Sequence, residues 1–258
     1  MTTTPEQVPT LTVQPIHFTS DHAAWEQFYL QLGLRETAAD DPMVTVLAAD
    51  SGQLMLGEVS PDSPLDGIRL VEFSVPDLDS YASALETAGT ELNRVELAHH
   101  RSNIAVDLPQ GRVHVGEAAV SAGAAPFDPA GLNIGALLYT PAETVAAGAQ
   151  ALAPYGLIPR IASDNGGWTD LIGHGVFAFH EGVLKTVDND ATNQPAVSLF
   201  AETRDVEKCM AELQSRGVEV ALIDEAYART LNITQPDGGV LTVNESQQDL
   251  YGYHRLNA

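Results

Sequence analysis

The sequence predicts an α+β fold made of four consecutive strand-helix-strand-strand-strand (βαβββ) units, and three observations support this prediction. Similar helix starts recur along the chain, each predicted helix ends at a glycine, and a second glycine then opens an apolar or alternating run at a repeated distance. Self-similarity of this kind is the sequence signature of repeated supersecondary units.

Three of the four predicted helices begin at an aspartate that follows a strand-like run, namely Asp21, Asp77 and Asp205. A carboxylate at this position accepts hydrogen bonds from the exposed helix amides and is favoured by the positive end of the helix dipole. The third unit has Thr140 and Pro141 instead. There we expect Thr140 to cap the helix and Pro141 to be its first residue.

The glycines set the spacing of the repeat. Each helix is expected to end in a left-handed C-terminal cap at Gly33, Gly89, Gly156 or Gly217. Each final strand is expected to open at Gly52, Gly111, Gly175 or Gly239. The distances between the two glycines are 19, 22, 19 and 22 residues, so the first unit matches the third and the second matches the fourth. We therefore expect a duplicated pair of units, with one hydrophobic core for each half of the chain.

Composition excludes several classes of function. The net charge of −23 would repel nucleic acids and anionic membranes, so we expect neither as a partner. No apolar run is long enough to span a bilayer and the first residues do not resemble a signal peptide, so we expect a cytoplasmic protein. The single cysteine, Cys209, excludes an intrachain disulfide and is expected to pack in the core.

A family resemblance is carried by the first helix and by two turns. Phe28-Tyr29, followed by Leu32-Gly33-Leu34, resembles the first helix of the vicinal oxygen chelate (VOC) superfamily of glyoxalases, bleomycin-resistance proteins and dioxygenases. The turns at 107–111 and 235–239 are similar to the family's Asp-Pro-Asp-Gly turn before its last strand. The resemblance covers nearly the whole chain, from Leu11 to Glu245.

The resemblance implies two tandem glyoxalase-like domains, which we place at residues 8–120 and 130–250. Each would contain two βαβββ units whose mixed sheet forms a cup, with the helices outside and a ligand or metal inside. The boundary falls in the Ala-, Gly- and Pro-rich stretch 120–129, where no periodicity is evident. We expect a small-molecule ligand and a monomer or homodimer.

The family's enzymes hold a divalent ion through His, Glu or Gln on the first and last strands of each unit. The equivalent positions in the first half are Gln14, Met55, Leu70 and His114. Those in the second half are Gly135, Ala178, Ser198 and Thr242. The second set has no plausible ligands and the first has at most two, which is too few for tight binding. We therefore expect no metal cofactor in either half.

An alternative metal site stays open because the first strand does not alternate cleanly. If His17 faces the cup in place of Ile16, then His17, Glu72 and His114 form a two-His-one-carboxylate set for a divalent metal ion. Alternation in the second unit places Glu72, Arg112 and His114 on the cup face. An ion pair between Glu72 and Arg112 would explain these residues without a metal.

We expect the ligand-binding residues to lie in both cups. The first cup supplies Gln14, Met55, Glu72, Arg112 and His114. The second supplies aromatic surface with hydrogen-bonding tips, from Tyr139, Trp168, His180, Phe200 and Asn244. Local structural roles remain open for Gln14, His114 and Trp168.

Two main functional hypotheses follow, and no residue is assigned as catalytic. The first is a metal-free protein that binds an apolar or aromatic metabolite or antibiotic in a cup. The alternative is a metal-dependent glyoxalase- or dioxygenase-type lyase or isomerase that uses Gln14, Glu72, His114 and possibly His17. A dimerisation module whose cups are filled by their own side chains is a third hypothesis.

Overall fold

The computed structural model describes residues 8–37, 43–97, 101–118, 128–185, 187, 194–224, 229–246 and 250–256. Within these residues it confirms the α+β fold class. The first unit contains β1 (Thr12–Thr19), α1 (His22–Gln31), β2 (Arg35–Thr37), β3 (Val44–Ala48) and β4 (Gln53–Glu58). The second contains β5 (Arg69–Val75), α2 (Leu78–Thr87), β6 (Asn93–Leu97), β7 (Arg101–Leu108) and β8 (Gly111–Glu117).

The second half repeats this order. The third unit contains β9 (Asn133–Thr140), α3 (Val145–Leu152), β10 (Ile158–Ser163), β11 (Trp168–Gly173) and β12 (Gly175–Glu181). The fourth contains β13 (Ser198–Thr203), α4 (Val206–Ser215), β14 (Val220–Asp224), β15 (Arg229–Thr234) and β16 (Val240–Glu245), and is followed by a short strand β17 (Tyr253–Arg255). None of the helices in the described ranges has the length and apolar character that a membrane crossing requires.

Each half forms one mixed sheet. The first sheet has the order β2-β3-β4-β1-β5-β8-β7-β6, and the second has β14-β15-β16-β13-β9-β12-β11-β10-β17. The first strands of the two units are antiparallel neighbours in both sheets, β1 with β5 and β9 with β13. Each of these strands also runs parallel to the last strand of its own unit. The first sheet therefore ends at residue 117 and the second begins at residue 133, while 119–127 lie outside the described residues.

The predicted helix ends are largely confirmed. Asp21, Asp77 and Asp205 accept hydrogen bonds from backbone amides in the first turns of α1, α2 and α4. The four expected C-terminal glycines have φ between 81° and 96°, a conformation that side chains with a Cβ adopt only at a cost. The prediction for Thr140 was wrong, because Pro141 precedes a 3₁₀ turn at Ala142–Thr144 and the α-helix begins only afterwards.

The helices of the two sheets pack against each other, so the cores are shared. One core combines α2 and α3 with apolar side chains from both sheets, and the other does the same with α1 and α4. Polar contacts cross the same layer: the Tyr81 hydroxyl donates to the Tyr155 carbonyl (2.7 Å), and Arg216 donates to the Leu32 carbonyl at the end of α1 (3.1 Å). The expectation of one core per half was wrong because each sheet covers its helices with the helices and strands of the other half.

Candidate functional site

Each sheet has one face that carries no helix, and these two faces are called the first cup and the second cup. Strand alternation sends the apolar residues of β5 and β8, such as Phe73 and Val115, into the shared core. Glu72 and His114 on the same strands therefore face the first cup. The same alternation places Phe177 in the core and Ala178 in the second cup.

A cavity of about 370 Å³ opens in the second cup. Aromatic side chains form one wall, with the rings of Trp168 and His180 5.7 Å apart and those of Trp168 and Phe200 6.5 Å apart. Tyr253 extends the wall because its strand, the edge strand β17, pairs with β10. The opposite side is polar, with side chains of Thr230, Asn232, Thr242 and Asn244. The cavity thus offers ring faces on one side and hydrogen-bonding groups on the other.

A buried charged triad also lines the cavity, on β10, β11 and β13. Arg160 donates two hydrogen bonds to Asp170 (2.9 and 2.8 Å) and two to Glu202 (2.8 and 2.6 Å). The side chains of Arg160, Asp170 and Glu202 are 18%, 3% and 11% exposed. Burial alone would lower the pKa of Arg160, but its hydrogen bonds to Glu202 and Asp170 outweigh burial and raise it. The guanidinium is therefore charged at every working pH.

The structure brings together four of the five residues predicted for the second cup. Trp168, His180, Phe200 and Asn244 line the cavity, whereas Tyr139 is 40% exposed and contacts the outer side of the His180 ring. Sequence reasoning missed Asp170 and Glu202, although each lies two positions beyond a predicted pocket residue on the same strand and so shares its face.

The family's metal positions in the second cup carry no carboxylate, imidazole or amide side chain. Gly135 on β9 pairs with Val176 on one side and with Phe200 on the other. A Cβ at Gly135 would lie 2.4 Å from the Phe200 ring, so this ring covers the strand where a ligand would stand. On the neighbouring strand β16, Thr242 offers one neutral hydroxyl.

The first cup contains a row of polar side chains on four adjacent strands. Gln14 on β1 pairs with Glu72 on β5, and Glu72 pairs with His114 on β8. On the other side of Gln14, Gln53 on β4 donates a hydrogen bond to its side-chain oxygen. All four side chains are buried, with exposures of 4% or less. The sequence-based set contained Met55 and Leu70, which both pair with Ile16 and so form the next row of the same face.

The polar row has local partners, and they differ from those expected. Glu72 accepts a hydrogen bond from Asn103 (2.7 Å), and Gln194 donates to His114 Nδ1 (3.1 Å). The predicted pair of Glu72 with Arg112 was wrong, because Arg112 donates to Asp107 opposite it on β7 (2.7 Å). The side-chain oxygens of Gln53 and Asn103 are buried without a partner.

Burial dominates the protonation of the row. It raises the pKa of Glu72, against the opposing effects of Arg101 and the Asn103 hydrogen bond. It lowers the pKa of His114 to about 4, with a further contribution from Arg112 and an opposing one from Asp107. The imidazole is therefore neutral at pH 7.

Comparison with solved structures finds matches over nearly the whole chain. A catechol 2,3-dioxygenase has a TM-score of 0.53 and 14% identity, with 97% of this chain and 95% of that one covered. The Mn(II)-bound glyoxalase from Novosphingobium aromaticivorans has a TM-score of 0.57 and 13% identity, covering 94% and 83%. An extradiol ring-cleaving dioxygenase from B. fuscum has 0.56 and 14%, covering 93% and 72%.

The chain has the vicinal oxygen chelate fold. No family model and no curated protein matches the sequence. Identities near 14% establish the fold alone, so the chemistry of this VOC-fold protein has to be argued from its own residues.

The two cups of this VOC fold differ in their fit to a metal ion. The second cup does not fit, because its family positions, Gly135, Ala178, Ser198 and Thr242, offer no carboxylate or imidazole and at most two neutral hydroxyls. The first cup supplies two amide oxygens, one carboxylate and one imidazole in a single row, which are donor types that divalent ions accept. Within the described ranges no three His, Cys, Asp or Glu side chains form a group that could hold a metal ion, so an ion in the first cup would depend on Gln14 and Gln53.

His17 lies on the opposite face from this row, so the alternative set of His17, Glu72 and His114 was wrong. Its Nδ1 is 2.9 Å from the Tyr29 hydroxyl, and its ring contacts Trp25 edge-on at 4.2 Å. Burial, and then the charge of Arg69, lower the pKa of His17 to about 3, against a weaker effect of Asp66. The histidine belongs to the packing of α1 against the first sheet.

Replacing Arg160 with methionine should destabilise the protein by about 3–5 kcal/mol, because Asp170 and Glu202 would remain buried without their cation. Urea denaturation of each variant measures its free energy of unfolding. Adding Asp170→Asn and Glu202→Gln to this variant should recover most of the loss. Arg112→Met, which removes a surface pair, is the matched control and should cost at most about 1 kcal/mol. A loss for Arg160→Met as small as that of the control would contradict the triad.

The buried His17 predicts a loss of stability on acidification. The folded pKa is about 3 and the ordinary value is 6.5, so below 6.5 the unfolded chain takes up a proton that the folded protein does not. The contribution of His17 to the free energy of unfolding is fully present above pH 6.5. It falls by up to about 1.4 kcal/mol per pH unit until about pH 3. His17→Phe should reduce the slope of the unfolding free energy against pH and leave the part that the lowered pKa of His114 contributes, whereas Tyr29→Phe should keep the full slope. Parallel curves for wild type and His17→Phe would refute this assignment.

Proposed function

We propose that this VOC-fold protein binds a small organic molecule in its second cup and needs no metal ion there. The observation that carries the proposal is the cavity of about 370 Å³, whose size lies within the range of small-molecule sites. The Phe200 ring over Gly135 supports binding without a metal ion, because it places an apolar surface where the family's ligand position would be.

The lining supports a ligand with an apolar or aromatic body and polar substituents. The ring faces of Trp168 and Phe200 offer stacking or edge contacts to a planar group. Asn232 and Thr242 on the facing strands can donate and accept hydrogen bonds that fix its orientation. Such a mixture of apolar surface and a few polar groups is typical of specific ligand sites.

Thermal-shift screening against metabolites and antibiotics tests this proposal. A ligand selective for the folded state stabilises it by about 2.7 kcal/mol at one hundred times its dissociation constant. Trp168→Ala should weaken the binding of any hit about tenfold or more in calorimetric titration, because it removes the aromatic wall.

The matched control is Tyr139→Ala, which truncates an aromatic ring on the same face outside the cavity. Its affinity for the hit should stay within about twofold of wild type. A hit that binds Trp168→Ala as tightly as wild type would bind outside this cavity, which would contradict the proposal.

A second candidate is a metal-dependent lyase, isomerase or dioxygenase that works from the first cup. The row of Gln53, Gln14, Glu72 and His114 favours it, and so do the names of the structural neighbours, which are dioxygenases and a Mn(II)-bound glyoxalase. The neighbours support this candidate more than they support metal-free binding. An ion held by the row would supply Lewis-acid polarisation of a bound oxygen. The neutral His114 imidazole is already in the form that coordinates.

Metal analysis of the purified protein after incubation with Zn²⁺, Mn²⁺, Fe²⁺ or Ni²⁺ tests the second candidate. The expected result is one equivalent of ion, which His114→Gln and Glu72→Ala each reduce by at least about tenfold in affinity. The control is Arg112→Gln. Arg112 lies on the same strand as His114 but bonds to Asp107, so this variant should bind the ion as wild type does. Ion content below 0.1 equivalents (about one site in ten) in wild type, or equal content in all variants, would eliminate this candidate.

A further inference from the structure

The charges around the second cup do not balance. Asp170, Glu202 and Glu245 line the cavity, and Arg160 is the one Arg or Lys among the described lining residues. Arg229, which is not a lining residue, pairs with Glu245 through hydrogen bonds of 2.8 and 2.7 Å and neutralises its charge. No second Arg or Lys of the described lining stands beside Arg160, Asp170 and Glu202, so this triad carries one excess negative charge.

This excess charge is held in a buried place. Asp170 and Glu202 are 3% and 11% exposed, and a charge that water cannot solvate interacts strongly with any ion that enters the cavity. Arg160 cannot attract an anion, because four of its five N–H groups already point at the two carboxylates. A carboxylate or phosphate entering the cavity would meet two carboxylates and no available cation.

The aromatic wall acts in the same direction. The faces of Trp168, Phe200 and Tyr253 carry negative partial charge and attract a cation within about 6 Å of a ring centre. The indole of Trp168 is oriented by its N–H, which lies 3.3 Å from Asp170 Oδ2, so its edge is already occupied and its face remains for the ligand.

The whole protein adds a long-range contribution. A net charge of −23 concentrates small cations near the surface and repels anions, which affects the rate of entry into an open cup.

We infer that the second cup selects a cationic ligand, an amine or substituted ammonium carried on an aromatic or aliphatic body. The body packs against Trp168 and Phe200, and the cation lies beside Asp170 and Glu202, where it neutralises the excess charge of the triad. This inference rests on the proposed small-molecule site and specifies the chemical class of its ligand.

Three probes that share one ring system test the charge preference: 1-naphthylmethylammonium, 1-naphthylmethanol and 1-naphthoate, titrated by calorimetry at pH 7. The ammonium should bind about tenfold more tightly than the alcohol, and the anion more weakly than both. The advantage of the ammonium should shrink as salt is added.

Variants locate the preference in the triad. Glu202→Gln leaves Arg160 balanced by Asp170 alone, so the ammonium should lose its advantage while the alcohol keeps its affinity within about twofold. Asp79→Asn, which removes the same unit of charge from the exposed surface of α2, should leave all three affinities unchanged. If Glu202→Gln does not fold, the three wild-type affinities and their salt dependence decide the matter.

The outcomes separate this inference from the function on which it rests. Binding of the alcohol or the anion at least as tightly as the ammonium would overturn the cationic ligand and leave the small-molecule site intact. An ammonium preference that Glu202→Gln does not change would also overturn it. If none of the three probes binds at millimolar concentration, both the cationic ligand and the proposed site are rejected.

Discussion

The antiparallel pairing of the two first strands in each sheet, β1 with β5 and β9 with β13, determines what both cups contain. Side chains alternate between the faces of a strand, so the pairing register decides which residues meet in the cup and which meet in the core. A slip by one residue would place Phe73 in the cup and Glu72 among the helices. The apolar cost of that exchange holds the register in place.

The same pairing produces two cups of opposite character. In the first sheet it aligns Gln14, Glu72 and His114, and Gln194 from the connection before β13 donates a hydrogen bond to His114. In the second sheet it aligns Gly135 with Phe200, and the cavity stays open beside them. The first cup thus holds a buried polar row, whereas the second has an open cavity.

Much of this arrangement could be predicted from the sequence because it depends on local signals. The capping aspartates and the C-terminal glycines mark the helices, and alternation of the strands identified four of the five expected residues of the second cup. Arg160 could not be predicted in this way. It lies where the register of β10 and β11 shifts between Pro159 and Ile161, and such a bulge redirects a side chain without a clear signal in the sequence.

Other errors came from contacts between distant parts of the chain. The partner of Arg112 depends on Asp107 standing opposite it across a turn, and Tyr253 reaches the cavity through a strand added after the last predicted unit. The orientation of His17 depends on the hydroxyl of Tyr29 and the ring of Trp25 on α1, which offer a buried imidazole more contacts than the cup would.

The interleaving of helices from both halves has a consequence for biosynthesis. The apolar side chains of α1 and α2 remain exposed to water until α3 and α4 have been synthesised, because α3 and α4 pack against them. A nascent chain that has emerged only as far as β8 would therefore expose apolar surface to water or to chaperones. Synthesis of the second half buries that apolar surface, and because the two halves share their cores we expect them to unfold together.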